Sequence, residues 1–551
     1  MESEIIFINN VTIINMKKII LSIIMLAAAY IGAAAQTAPQ VQTANGTLEG
    51  IDCSGVKVFK GVPFAAPPVG NLRWKAPQPV EKWEGVRQAK DFGPNHMQEN
   101  LFGDMMFGTK EMSEDCLYLN IWTPSKTWNE KLPVFIYFNG GGLMAGSGSE
   151  PRYAGMTLAR NGIIAVTANY REGIFGFLAH PELSKETEYK GSGNYGFLDQ
   201  VAAIQWVKDN ISAFGGDPSR ITIMGESAGS MSVSALMASP LSRGLIAQAM
   251  GSSGSVLGKD GWKTLAEAEK MGVEKVKNMG YKKIADLRKL SADELMRLAA
   301  VKSVPTYNID GYFMPKQPMD IYAAGEQAKV PCLIGNNNAE MPAFAFLGGG
   351  APTIAGLSPA VENWLGVKAS EVLPLYGIHT DADIFGLPGY ALGGDIFIVY
   401  STWKWLDMQQ STSPKPVYRY MYCHPRPDMK QKDVVAGLAG GVQKKEEGTP
   451  DMPKTPGAVH SADIEYQMGN LSTNDVFAWT ADDYAISEVF VKFFVNFIKT
   501  GNPNGLGLPT WTPINGKPVA PVMMIDRQSR QEILPDVETR YRFIDKCLMK
   551  K

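Results

Sequence analysis

Cysteine and histidine are both scarce, with five of each in 551 residues. Each shortage excludes something. Cys53, Cys116, Cys332, Cys423 and Cys547 are too few and too scattered to build a disulfide fold, and an odd number leaves at least one thiol unpaired. The core must hold the chain together. No Cys/His cluster has zinc-ligand spacing. Excess charge is missing as well: 53 basic against 55 acidic residues leave −2, which attracts neither nucleic acid nor an anionic membrane. Internal repeats and low-complexity linkers are absent too.

Long apolar runs are limited to one. Met16-Lys17-Lys18 precedes the fourteen-residue stretch IILSIIMLAAAYIG, and Ala33-Ala34-Ala35 follows before Gln36. A membrane span needs about 20 apolar residues, so the pattern reads as an export signal cleaved after Ala35, with Met16 the better start. The expectation is a periplasmic or secreted protein with no stable membrane anchor. No Cys near the cleavage site supports a lipid anchor.

What remains is ordinary globular composition, 45% hydrophobic and 20% charged, enough for one very large α/β domain or several small ones. Most of the 27 Met suit core packing. Strand-like runs alternate with helical ones. LPVFIYF (132–138), IIAVTANY (163–170), ITIM (221–224), VPCLIGN (330–336) and VYRYMY (417–422) are β-branched or aromatic, while 197–210 and 482–500 have helical character, the latter stopped by Gly501. Such alternation predicts a mostly parallel sheet with helices on both faces. The polar, Gly- and Lys-rich piece 430–456 is the candidate mobile loop, and whether it acts as a lid is open.

ITIMGESAGSMSVSALM (221–237) holds the only G-x-S-x-G. By chance the pattern arises in roughly one chain of this length in six, so the match alone is weak. Its context is stronger: a strand runs into Gly225-Glu226-Ser227-Ala228-Gly229 and a helix leaves it, as a nucleophile elbow requires. A base and an acid should then follow in the chain order Ser, acid, His. His96 and His180 come too early. His379, His424 and His460 remain, and His460, in the Pro-Gly loop TPGAVHSADIEY, is the best placed. Glu340 lies just beyond the strand 330–336, ahead of the apolar MPAFAFLGG that would desolvate it. Asn139-Gly140-Gly141-Gly142-Leu143 follows the strand 132–138, where glycines let the backbone turn N–H groups toward a growing negative oxygen.

Two other signals read blandly. Gly191 to Gly196 satisfies G-x-G-x-x-G, but no strand precedes it, so a loop is expected. Asp381, Asp383 and Gly386 imitate an EF-hand start, but position twelve is Leu392, so calcium is not expected.

Several longer stretches, in order, carry a resemblance. FKGVPFAAPPVGNLRWKAPQPVEKWEGVRQAKDFGP, SEDCLYLNIWTP, NYREGIFGFL, GNYGFLDQVAAIQWVKDNISAFGGDPSRITIMGESAG, GNNNAEM and GAVHSADIEY are similar to the type-B carboxylesterases, which include cholinesterases and bacterial para-nitrobenzyl esterases. The resemblance runs from about Gly46 to Asp526, thin at 258–303 and 348–456. It implies a single α/β-hydrolase domain over 36–551, and a triad of Ser227 as nucleophile, His460 as base and Glu340 as orienting acid. Gly141, Gly142 and Ala228 would supply oxyanion N–H groups, without metal or cofactor. It also implies structural ion pairs Arg73–Glu114 and Arg171–Asp199.

Two departures stand out. The family's disulfide partner for Cys116 is replaced by His96, so the loop from Met97 to Asp115 is expected to be unstapled and to widen the pocket mouth. Where cholinesterases carry a Trp for quaternary ammonium stacking, this chain has Met106, so choline esters are not expected. The expected activity is hydrolysis of small to medium apolar or aromatic esters. A lipase or feruloyl-type esterase is the alternative within enzymes, and a non-catalytic binding or adhesion relative the alternative outside them. Met105, Met106, Phe107, Phe344 and Phe346 are candidate pocket walls.

Overall fold

The strand-like runs become neighbours in one sheet. The computed structural model describes residues 38–549, except 260, 300–304, 349, 446–453 and 518. The export signal at Met16–Ala35 lies outside the described residues. Val41–Lys551 forms one compact unit.

The eleven strands are, in chain order, β1 (Ile51–Cys53), β2 (Val56–Pro63), β3 (Tyr118–Thr123), β4 (Leu132–Phe138), β5 (Ile164–Ala168), β6 (Gly216–Glu226), β7 (Gln248–Ser252), β8 (Cys332–Asn337), β9 (Val417–Tyr422), β10 (Pro521–Ile525) and β11 (Arg530–Ile533). Their spatial order is β11-β10-β9-β8-β7-β6-β4-β5-β3-β2-β1. From β5 through β4, β6, β7, β8 and β9 to β10 every pair is parallel. Antiparallel pairs occupy the two flanks.

Burial on both sides explains why the central strands are apolar throughout. Val134, Ile136 and Phe138 of β4, with Ile221 and Ile223 of β6, pack into one core, together with helices α1 (Tyr195–Asn210) and α2 (Ala228–Ala238). Their alternates Phe135, Tyr137 and Met224 join a second core under α4 (Ala481–Thr500), where Phe490, Phe493, Phe494 and Phe497 are buried. Thr480 and Asp483 form a capping box at the start of α4, and Gly501, at φ 74°, ends it. A third apolar cluster of short helical pieces between Ala343 and Trp403, reaching into α3 (Tyr400–Thr412), packs against Tyr541 and Ile544 of α5 (Pro535–Leu548).

The topology fixes where the site forms. Because β4, β6, β7 and β8 are adjacent and parallel, their C-terminal ends open on one edge, which gathers the segments starting at Asn139, Ser227, Ser253 and Asn338. No helix of the described residues is long and apolar enough to cross a membrane.

Candidate active site

Ser227 sits between β6 and α2 with φ 55° and ψ −124°. Positive φ is costly for a residue with a Cβ, and the surrounding glycines show what enforces it. A Cβ on Gly225 would meet the backbone of Gly229 at 2.2 Å, and one on Gly229 would meet the Phe138 carbonyl at 2.2 Å. The turn therefore excludes side chains at both positions, as the motif suggests. The Ser227 N–H donates to the Ser252 carbonyl at 2.9 Å, fastening the turn to β7.

The glycine loop after β4 faces this elbow. Gly141 (φ 115°), Gly142 (φ 68°) and Leu143 (φ 59°) all have positive φ. The Gly141 carbonyl accepts from the N–H groups of Met144 and Ala145, both at 3.1 Å, which closes the loop into a tight turn. Ala228 opens α2, so its N–H is one of the helix's first four and has no partner inside the helix. Gly141, Gly142 and Ala228, with Ser227 and His460, border one cavity of about 820 Å³.

His460 stands in a loop pinned to the end of β8. Its N–H donates to the Glu340 carbonyl at 3.1 Å, and its Nδ1 lies 2.7 Å from Glu340 Oε2. A carboxylate there requires the proton on Nδ1 and leaves Nε2 as the acceptor. Glu340 is held in turn: Oε1 accepts from the Asn337 N–H at 2.6 Å and from the Ser253 hydroxyl. The ring edge of Phe397 packs on the imidazole with centroids 4.9 Å apart. Nε2 lies 3.3 Å from Glu226 Oε1, and no hydrogen bond of the described residues joins it to the Ser227 hydroxyl.

Glu226, Asp463 and Ser253 are functional neighbours that the sequence does not advertise. Glu226 occupies a free position of the G-x-S-x-G pattern. Ser253 is betrayed only by its own strained φ of 54°. Burial pushes the Glu226 carboxyl up to about 8. Burial and the nearby charge of Glu340 push Asp463 up to about 6. Burial opposes the His460 imidazolium, yet the Glu226 charge and the Glu340 hydrogen bond and charge outweigh it, and the ring titrates above its ordinary value.

The remaining histidines are accounted for. His180 caps a short helix by accepting from the Glu182 N–H at 3.1 Å. His379 is exposed. His424 pairs with Asp483 at 2.9 Å, a plausible acid–base couple by distance. Its carboxylate, however, is spent on the cap of α4, and bonds from His424, Thr480 and Tyr466 hold it well below its ordinary value despite burial. Neither His379 nor His424 borders the cavity.

Among the expected pocket walls, Met105 and Phe346 line the cavity, whereas Met106, Phe107 and Phe344 do not. Phe344 instead packs against Phe385 and Tyr390. Cys116 is a buried free thiol. The segment before it in the chain, 97–115, is tied by hydrogen bonds: Gln98 exchanges two with the backbone of Gly146, each 2.8 Å, and Gly108 donates to the Ser149 carbonyl at 3.2 Å. The piece read as a mobile loop contains a small antiparallel hairpin, Val434–Ala436 with Val442–Lys444, whose turn residues Leu438 and Ala439 border the cavity. Gly191 to Asn194 is a loop with no strand before it, and α1 starts at Tyr195. Asp383 accepts from the N–H groups of His379 and Thr380, and Asp381 from that of Ile354, so both carboxylates serve as caps. Arg73 grips Glu114 at 2.6 and 2.5 Å, and Arg171 grips Asp199 at 2.8 and 2.7 Å, the first pair partly buried, the second fully, and both away from the cavity.

Comparison with known proteins places this geometry. The carboxylesterase family model matches residues 37–358 and 390–543. The chain belongs to the carboxylesterase family. It is a carboxylic ester hydrolase, similar to the para-nitrobenzyl esterase of Bacillus subtilis (strain 168), with 31% identity over 518 residues, 91% of this chain and 98% of that protein. A fumonisin B1 esterase of Sphingopyxis macrogoltabida is 43% identical over 336 residues, 58% of this chain and 60% of that protein. Among solved structures, the Geobacillus stearothermophilus carboxylesterase at pH 6.2 superposes with a TM-score of 0.75 at 30% identity, covering 92% of this chain and 99% of the other. The fold of this carboxylesterase is thus the α/β-hydrolase fold shared with those enzymes.

Proposed function

We propose that the chain cleaves carboxylic esters through an acyl-enzyme on Ser227, with His460 as general base and Glu340 as its orienting acid. The observation that carries this reading is the 2.7 Å contact of a fully buried Glu340 with Nδ1 of His460, a ring that borders the same cavity as a strained serine at a helix N-terminus. His460 Nε2 takes the proton as Ser227 Oγ attacks the carbonyl carbon, and Glu340 stabilises the imidazolium. The N–H groups of Gly141, Gly142 and Ala228 hold the oxyanion. His460 then protonates the leaving alcohol, and water, deprotonated by the same ring, releases the acid.

Met105, Met231, Phe346, Trp364 and Phe397 give the cavity apolar walls, which suit small to medium apolar or aromatic esters. Two relatives are named as a para-nitrobenzyl esterase and a fumonisin B1 esterase, which supports an ester substrate. The sequence signal at Met16–Ala35 supports export to the periplasm or medium. The test is hydrolysis of p-nitrophenyl esters of graded acyl length, with and without a fluorophosphonate. Inhibitor-sensitive turnover falling off beyond medium chains supports an esterase. A long-chain optimum would make it a lipase, and absence of inhibitor-sensitive turnover would make it a binding relative.

Two further outcomes follow from the site. A Cβ at Gly141 would sit 1.7 Å from the Ala145 carbonyl at a φ of 115°. Gly141→Ala should therefore displace the loop and lower kcat on the order of 10²–10³, the loss typical of an oxyanion donor, as steady-state kinetics would show. His460 must be neutral to accept a proton, so kcat/KM should fall on the acid side with a midpoint above the ordinary imidazole value. Glu226→Gln removes a charge that favours the imidazolium, so the midpoint should move to lower pH. An unmoved pH profile would contradict the coupling.

A further inference from the structure

His96, the residue standing where the family resemblance leads one to expect a cysteine, is built into a polar chain that ends at the oxyanion loop. Its ring is buried. Nδ1 lies 3.2 Å from the Met97 carbonyl, and Nε2 lies 3.0 Å from Glu172 Oε2 and 3.3 Å from the Gln98 amide nitrogen, which itself donates to the Gly146 carbonyl at 2.8 Å. The Gln98 amide has its shorter bond elsewhere, so the nearer partner of each ring nitrogen is an acceptor, and serving both takes a proton on each. The ring is therefore a cation paired with a buried carboxylate.

Glu172 passes the constraint on. Its second oxygen, Oε1, accepts from Asn139 Nδ2 at 2.9 Å, and the same amide nitrogen donates to the Gly140 carbonyl at 3.0 Å. Asn139 is the residue that leads out of β4 into Gly140–Gly142. The Tyr170 hydroxyl donates to the Asn139 carbonyl at 2.9 Å, and the N–H of Gly173, next to Glu172, donates to the Leu143 carbonyl at 2.7 Å. Both ends of the glycine loop are thus anchored to the segment around Glu172. Gln98, two residues beyond His96, ties the wall segment carrying Phe102 and Met105 to Gly146.

We propose that the His96–Glu172 ion pair is a charged clasp that positions the oxyanion loop 139–142, making His96 and Glu172 positioning residues of the reaction. The inference rests on the oxyanion role assigned above. Other charged groups around His96 are already matched: Arg73 with Glu114 and Arg171 with Asp199, all but Asp199 bordering a small void that His96 shares with the neutral thiol of Cys116. Glu172 is therefore the counter-charge of the ring. Burial opposes the imidazolium, and Glu172 outweighs burial, so the ring titrates above its ordinary value. A group raised on folding contributes fully below its unfolded pKa, and its contribution is lost as pH rises through the folded one. The clasp should therefore open on the alkaline side, opposite to the limb set by His460.

The test uses the full chain, p-nitrophenyl butyrate from pH 6 to 10, and rates normalised to serine titrated by a fluorophosphonate. A loop misplaced by about 1 Å costs on the order of 10²-fold. His96→Gln and Glu172→Gln should each lower kcat about 10- to 100-fold with KM within about twofold. The alkaline fall of the parent enzyme should disappear in His96→Gln, while the acid limb stays. The double variant should lose no more than the worse single variant, because the two act as a unit. Parent-like kcat and alkaline profile in either single variant would overturn the proposal, whatever its melting temperature. A measurement that leaves His96 and Glu172 in place covers variants that fail to fold. Histidine-labelled NMR of His460→Ala at pH 8 should show a solvent-shielded imidazole with both nitrogens protonated, and its absence would also overturn the clasp. None of these results bears on labelling of Ser227, so the clasp can fail while the esterase reading stands.

Discussion

Replacing Ser227 by alanine should lower ester turnover on the order of 10⁶-fold while leaving the protein folded, because Ser227 is the cavity hydroxyl that stands at the strained elbow next to the N-terminus of α2. The same position predicts a stability effect of opposite sense. Ser227 is held at φ 55°, ψ −124° by the contacts of Gly225 and Gly229 with their surroundings, a conformation that costs about 1–3 kcal/mol for a residue with a Cβ. Alanine keeps that strain and glycine removes it, less up to about 1 kcal/mol for glycine's greater freedom when unfolded. Ser227→Gly should therefore be inactive yet unfold at higher denaturant than Ser227→Ala by about 1 kcal/mol. Equal midpoints would mean that the elbow stores no more strain than the up to about 1 kcal/mol by which glycine's freedom when unfolded offsets it. Appreciable turnover in Ser227→Ala, after exclusion of contaminating esterase by inhibitor titration, would remove the nucleophile assignment.

Glu340→Gln is the second large effect, expected on the order of 10⁴ in kcat. Its size follows from how the carboxylate is held. Oε1 accepts from the Asn337 N–H and the Ser253 hydroxyl. In the amide variant the carbonyl oxygen belongs there, and the NH₂ group is turned toward His460 Nδ1. Two donors cannot face one another, so the ring must shift its proton to Nε2, where it can no longer accept from Ser227. KM should change little, since Glu340 is fully buried behind the imidazole. A kcat loss below tenfold would show that His460 keeps its tautomer by other means.

Much of the sheet was legible because strands buried on both faces are apolar throughout and cannot hide: 132–138, 417–422 and the run ending at Met224 coincide with β4, β9 and the end of β6. Their order was not legible. That β4 lies between β5 and β6 depends on which crossovers pack, which no local pattern encodes. The three groups of the candidate triad could be read because each follows a strand end or a glycine-rich turn, and because five histidines make elimination workable. The contacts that tune them were not readable. Glu226 meets His460 across the cavity, and Ser253 meets Glu340 across two adjacent strands. Both depend on side-by-side packing of segments far apart in sequence. The helical pieces between Ala343 and Trp403 are short and punctuated by glycine and proline, so Phe344 read as a pocket wall although it packs inside their cluster. Val434–Ala436 and Val442–Lys444 were hidden within a polar stretch because three residues per strand show no periodicity.

The most direct measurement is intact-protein and peptide mass spectrometry after acid quenching of the enzyme during turnover of a slowly deacylating p-nitrophenyl ester. The account predicts one acyl group per chain, carried by the peptide containing Ser227, formed with a stoichiometric burst of p-nitrophenol and missing from His460→Ala on the same timescale. Steady turnover with no acylated serine, or the acyl group on a residue outside the cavity, would contradict it.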